Sequence, residues 1–198
     1  VLVCVGGDGT LNEVVNGIMM NEESVRSELM LGFIPNGTGC DFIRTVSIPK
    51  DFEQTVNLIA SGHARRIDLG ALFFKNHKGR DGCRYFHNIA SFGLGGEVVQ
   101  RVNRTTKALG PFISFMWATI ISVFLCGTKS MRILIDGSFE KKVSVWNMVI
   151  ANGQYHGGGM WVAPDASVCD GLLHVTIIGD LTIPVSYTHL TLPTNREV

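Results

Sequence analysis

The sequence predicts an α/β unit built on a parallel sheet, followed by a mostly antiparallel β unit. Three observations carry this reading. Up to about Ile67, short apolar runs alternate with stretches of helical periodicity. Each of the two early apolar runs ends in a glycine turn that opens into a helix-like segment, GGDGT (6–10) and PNGTG (35–39). Beyond Ile67 the runs become strand-like and are separated by glycine-rich turns, with Asp136-Gly137 as a strong hairpin signal.

Taken in order, VLVCV at the start reads as a buried strand. Leu11, Val14, Val15, Ile18 and Met19 then recur at helical spacing and define one apolar face. Thr10 and Glu13 have the spacing of a capping box at the start of that helix. A polar stretch, NEESVRSE, leads to a second strand, LMLGFIP, and the turn NGTG opens CDFIRTV. DFEQTVNLIASG reads as an amphipathic helix stopped by a left-handed Gly62. RRIDLGALFF, RYFHNIASFG, MRILIDG, KVSVWNMVIANG and LLHVTIIG supply the strands of the second unit.

The apolar stretch 109–127 is nearly long and uncharged enough to span a bilayer. Its Ser114, Thr119 and Ser122, and the hairpin strand that follows, favour a core or interfacial helix packed on the second sheet. VSYTHLTLPT (185–194) reads as translated sequencing adapter, so residues 185–198 are set aside from the fold. With no initial Met and a strand at its very start, the chain reads as a fragment cut at both ends.

Composition narrows the function classes. Seventeen basic and seventeen acidic residues cancel in 198, so no global field favours nucleic acid. Five scattered cysteines without a C-x-x-C pair argue against a zinc knuckle or a disulfide framework and for a reducing compartment. His63, His87, His156 and His174 share no metal-ligand spacing.

The two glycine turns are the candidate site. In an open parallel sheet, ligands bind beyond the carboxyl ends of the strands. Glycines there let backbone amides approach a phosphate, the helix N-terminus adds partial positive charge, and Thr38 can donate a hydroxyl. Neither turn is a Walker A sequence. Asp8 sets a carboxylate in the middle of the first turn, suited to a metal, an ordered water or an incoming hydroxyl, or else to hydrogen bonds within its own loop.

GGDGTLNEVVNG followed by PNGTGCDF resembles the catalytic domain of the diacylglycerol-kinase-type lipid kinases, a superfamily shared with sphingosine kinases and more distantly with NAD kinases. YFHNIASFGLGGEV, IANGQYHGGGMWVAPDA and CDGLLHV resemble the second domain of the bacterial soluble members. The resemblance implies an ATP-binding α/β domain over residues 1–66 and a β-sandwich over 67–184. It implies ATP-dependent transfer of phosphate to a lipid hydroxyl, most simply diacylglycerol to phosphatidic acid, by a cytoplasmic, peripherally membrane-associated enzyme. Sphingoid base or NAD as acceptor, or a catalytically inactive nucleotide-binding regulator, are the competing readings.

Position by position, the resemblance assigns Gly6, Gly7, Asp8, Gly9, Thr10, Leu11, Asn12 and Thr38 to ATP. It assigns Asp170, with backbone oxygens at Ser167 and Leu172, to a structural Mg²⁺; apart from the resemblance, Asp170-Gly171 reads as a hairpin turn. Asp8 is the catalytic candidate. Cys40 stands where the family commonly carries asparagine in G-T-G-N-D-F. The family's general base lies beyond CDGLLHV, so the 198-residue chain alone is expected to have little kinase activity.

Overall fold

A computed structural model describes residues 1–93 and 129–178; the predicted helix at 109–127 and the adapter-like residues 185–198 lie outside them. In chain order the elements are β1 (Leu2–Gly6), α1 (Asp8–Met19), α2 (Glu23–Glu28), β2 (Leu31–Pro35), α3 (Phe42–Val46), α4 (Phe52–Ala60), β3 (Gly70–Lys75), β4 (Asp81–Phe86), β5 (Ile89–Gly93), β6 (Lys129–Ile135), β7 (Phe139–Val145), β8 (Asn147–Ala151), β9 (Tyr155–His156), β10 (Met160–Trp161) and β11 (His174–Ile178). They fall into two compact units, one of residues 1–89 with 151–174, the other of 90–150 with the chain from 175 onward.

In the first unit β1 and β2 pair in parallel, with Cys4 opposite Phe33 and Gly6 opposite Pro35. That register brings both glycine turns to one sheet edge, as the strand–turn–helix alternation predicts. Leu11 and Val15 bury the inner stripe of α1 against Cys4, Phe33, Cys40, Phe42, Ile43 and Val168, with Val14 and Met19 packed around them. Each fully buried Val, Leu, Ile or Phe of such a cluster contributes about 1.5–3 kcal/mol.

One polar residue shares that helix with the core. Asn16 is 2% exposed; its Nδ2 donates to the Tyr85 and Asn12 carbonyls, and its Oδ1 accepts the Tyr85 N–H. A single side chain thus pins α1 to both polar groups of a β4 residue. Asn152, fully buried, bridges two other segments of this unit, donating to the carbonyls of Asp68 and His87.

Several local expectations change. The capping box at Thr10 and Glu13 does not form: α1 begins at Asp8 with Gly7 as its cap residue and no side-chain cap. Starting the helix three residues earlier puts Thr10 inside the first turn, and Glu13 instead pairs with Arg84. The polar stretch NEESVRSE contains the short helix α2. Helix α4 buries little beyond Thr55, and its end matches expectation, with Gly62 at φ +71° and its N–H on the Ile59 carbonyl.

In the second unit β6 and β7 form the predicted antiparallel hairpin. Asp136 and Gly137 both take positive φ, 51° and 66°, and the Ser138 N–H closes the turn on the Ile135 carbonyl. The run KVSVWNMVIANG, read as one strand, breaks at Trp146 into β7 and β8. Strands β11, β8 and β5 form a three-stranded sheet in that order. Among the described residues no helix is long and apolar enough to cross a membrane.

Candidate active site

The two glycine turns meet backbone to backbone. A Cβ added at Gly37 would lie 2.5 Å from the Gly7 Cα, and one at Gly6 would lie 2.7 Å from the Thr10 side chain. These glycines are required by the fold itself. Gly9 differs: it is exposed, and a Cβ there would meet nothing within 4 Å. The first turn of α1 has no side-chain cap, so its leading amides are not answered by a capping side chain.

Asp8 locks the second turn onto the first. Its Oδ2 accepts the Asp41 N–H at 2.9 Å and its Oδ1 accepts the Phe42 N–H at 3.2 Å. These are the leading amides of α3, so Asp8 caps a helix in the other loop rather than folding back on its own. The Asn36 N–H donates to the Gly6 carbonyl at 2.7 Å and closes the same junction from the strand side.

A second carboxylate sits beside it. Asp41 is 5% exposed, its Oδ2 accepts the Gly158 N–H at 2.7 Å, and Arg44 Nε lies 3.7 Å from its Oδ1. Oδ1 itself is buried with no hydrogen-bond partner. A Cβ at Gly39 would be 3.7 Å from Asp8 Oδ2 and 3.8 Å from Asp41 Oδ2, so both carboxylates border the same space.

Two histidines border this cluster, although neither has ligand spacing in the sequence. His87, 3% exposed, packs edge-on against Phe42 with ring centroids 4.5 Å apart. Its Nδ1 lies 3.3 Å from Asn12 Oδ1 and donates there in the Nδ1–H tautomer. Burial pulls the ring's pKa down to about 4, against the opposing pull of the Asp8 charge. His156 is also pulled down by burial, against the charges of Asp41 and Asp8. The signal sequence reading lacked was tertiary, since these residues join the cluster through β4 and the β9 hairpin.

Cys40 also finds its explanation here. It adopts a left-handed backbone, φ 49°, is 3% exposed, and its thiol donates to the Gly37 carbonyl at 3.4 Å. Asparagine tolerates that conformation better than most residues, which accounts physically for its use at this position. Burial raises the thiol's pKa and keeps it inert.

The residues expected at ATP, Gly6 to Asn12 and Thr38, are thus gathered at one junction. Thr38 is exposed at its rim, while Leu11 turns its side chain into the core. Ser167, Asp170 and Leu172 form a separate turn. There the Leu172 N–H donates to Asp170 Oδ1 at 3.0 Å, Gly171 takes φ +73°, and its N–H donates to Asp68 Oδ2 at 2.8 Å. Among the described residues no group of three or more His, Cys, Asp or Glu is placed to hold a metal.

A glycine junction at the carboxyl ends of two parallel strands, opening into a helix N-terminus, is an α/β arrangement at which phosphate ligands commonly bind. A family profile described as "Diacylglycerol kinase catalytic domain" matches residues 1–72, and one described as "YegS C-terminal NAD kinase beta sandwich-like domain" matches residues 88–190, more than half of the chain. The chain belongs to the diacylglycerol-kinase-type lipid kinase family, with a mixed α/β domain followed by a β-sandwich-like domain.

Among its relatives, the Cronobacter sakazakii protein named "Probable lipid kinase YegS-like" is 30% identical over 97% of this chain and 61% of its own length. The Staphylococcus carnosus protein named "Diacylglycerol kinase" is 31% identical over 89% and 53%. A solved structure of a candidate diacylglycerol kinase from Bacillus anthracis superposes with a TM-score of 0.70 at 26% identity, covering 95% of this chain and 59% of that one. The chain spans a little over half the length of the relatives it matches.

Proposed function

We propose that the full-length protein is an ATP-dependent lipid kinase that transfers phosphate to a lipid hydroxyl at a membrane surface, with diacylglycerol as acceptor and phosphatidic acid as product. The observation that carries this is the junction of the two glycine turns, held together by Asp8 in a chain of this family. Uncapped amides of α1, the open surface at Gly9 and the hydroxyl of exposed Thr38 are the groups available to hold nucleotide phosphates.

Phosphoryl transfer depends mostly on positioning and on electrostatic stabilisation of spreading negative charge. Asp8 performs the positioning: by fixing the α3 amides it sets the spacing of the two loops. Two carboxylates bordering one space, with Asp41 Oδ1 buried and without a hydrogen-bond partner, fit the oxygen-donor preference of Mg²⁺, and Ser167, Asp170 and Leu172 offer oxygen donors in their own, separate turn. When bound, the ion offsets phosphate charge. A lipid alcohol also needs a positioned proton acceptor, because free alcohols are weak nucleophiles near neutral pH.

The test is a labelled-ATP assay on the full-length protein with diacylglycerol, sphingosine and NAD offered side by side. Labelled phosphatidic acid as the main product supports the proposal. Label in the sphingosine or NAD product instead would reassign the acceptor, and no transfer to any of them would favour an inactive nucleotide-binding protein.

A further inference from the structure

We propose that the β3–β4 hairpin is a docking element for anionic phospholipid bilayers. Phe73 is 77% exposed and Phe74 41% exposed on successive positions of β3, so they project from opposite faces of a two-stranded ribbon. Phe74 lies over Gly82, where a Cβ would come within 2.9 Å of the ring. The small partner leaves the ring supported from one side and open on the other.

The turn beyond them is built rigidly. Asn76 Oδ1 accepts the N–H groups of Lys78 and Arg80 at 2.9 and 3.1 Å, the Asn76 N–H donates to the Arg80 carbonyl, and Gly79 takes φ +71°. This side-chain-braced turn presents Lys78 and Arg80 outward, both exposed and in no ion pair among the described residues. Asp81, the one acidic residue of the segment 73–81, is already bound to Lys75 at 2.7 Å. The tip therefore carries local positive charge in a chain whose net charge is zero.

An exposed aromatic ring flanked by unpaired cations matches an anionic bilayer surface, where the ring of Phe73 enters the acyl boundary and the cations meet lipid phosphates. That charge complement argues for lipid over a second copy of the hairpin, which would bring like charges together. The proposal concerns docking and stands apart from phosphoryl transfer, so the two are tested separately.

The experiment is co-sedimentation of the full-length protein, without nucleotide, with vesicles of phosphatidylcholine alone or mixed with phosphatidylglycerol. Wild type should bind the phosphatidylglycerol vesicles preferentially, and added salt should weaken binding. Phe73→Ser should lower partitioning about tenfold or more, and Lys78→Gln with Arg80→Gln about 25-fold, near fivefold for each charge. These side chains are exposed, so thermal unfolding should hardly change. Phe52→Ser, which removes a comparably exposed phenylalanine from α4, should bind like wild type. No preference for phosphatidylglycerol, or hairpin variants that bind like wild type, would overturn the proposal. So would a self-association that Phe73→Ser dissolves while vesicle binding persists.

Discussion

Replacing Asp8 by asparagine tests the loop lock directly. The native carboxylate accepts two amide bonds from another loop, at 2.9 and 3.2 Å, one on each oxygen. Asparagine keeps a single carbonyl oxygen and points an NH₂ group at an N–H donor, so one bond becomes a donor–donor contact and the other loses its charge assistance. A hydrogen bond to a charged group is worth about 1.5–3 kcal/mol, which sets the expected loss for Asp8→Asn. Asp8→Ala leaves both amides without an acceptor and should cost more, about 3–5 kcal/mol. At roughly 2–4 °C per kcal/mol for a chain of this size, Asp8→Asn should lower Tm by about 3–12 °C. Differential scanning calorimetry reads this in the apo protein, and turnover of the full-length enzyme should fall far more than its ATP affinity. An unchanged Tm would refute the lock, and unchanged turnover would leave Asp8 a purely structural residue.

Three further outcomes follow from the same geometry. His87 has a folded pKa of about 4 against an ordinary 6.5, so between those values the unfolded chain takes up a proton that the folded chain refuses. Stability should therefore fall as pH drops from 6.5 to 4, by roughly 3 kcal/mol from this group, and urea midpoints at pH 7 and 4.5 should converge in His87→Leu. Cys40→Asn relieves a left-handed cysteine and should raise stability by about 0.5–1 kcal/mol in urea unfolding. Asn16→Leu strips both Tyr85 backbone groups of their partner and should cost about 2–4 kcal/mol despite its apolar side chain.

How much of this was legible in the sequence depended on the range of the interaction. Strands, helices and both glycine turns follow from local periodicity and turn chemistry, and the parallel β1–β2 pairing follows from their alternation. The Asp136-Gly137 hairpin was readable for the same reason. Thr10 and Glu13 failed as a capping box because the helix takes a glycine cap three residues earlier, at Gly7, while Arg84, far off in sequence, claimed Glu13.

Asp8 stood out because a carboxylate is unexpected in a phosphate loop, yet its partners lie 33 and 34 residues away. Asn16, Asn152 and His87 were illegible as structural pins. A buried polar side chain looks like any surface residue until the carbonyls it satisfies are known. The departure at Cys40 was visible from the family pattern, but the left-handed backbone that favours asparagine there was not.

The glycine junction is proposed to hold ATP, and Gly9→Ala in the full-length protein probes that site directly. A methyl group at Gly9 meets nothing within 4 Å in the fold and removes a glycine from a helix, so the variant should be about 0.5–1 kcal/mol more stable. Its methyl would project into the space assigned to the phosphates. Calorimetric titration should then show ATP affinity reduced at least tenfold in a protein that melts higher than wild type. ATP affinity equal to wild type in that variant would contradict the claim.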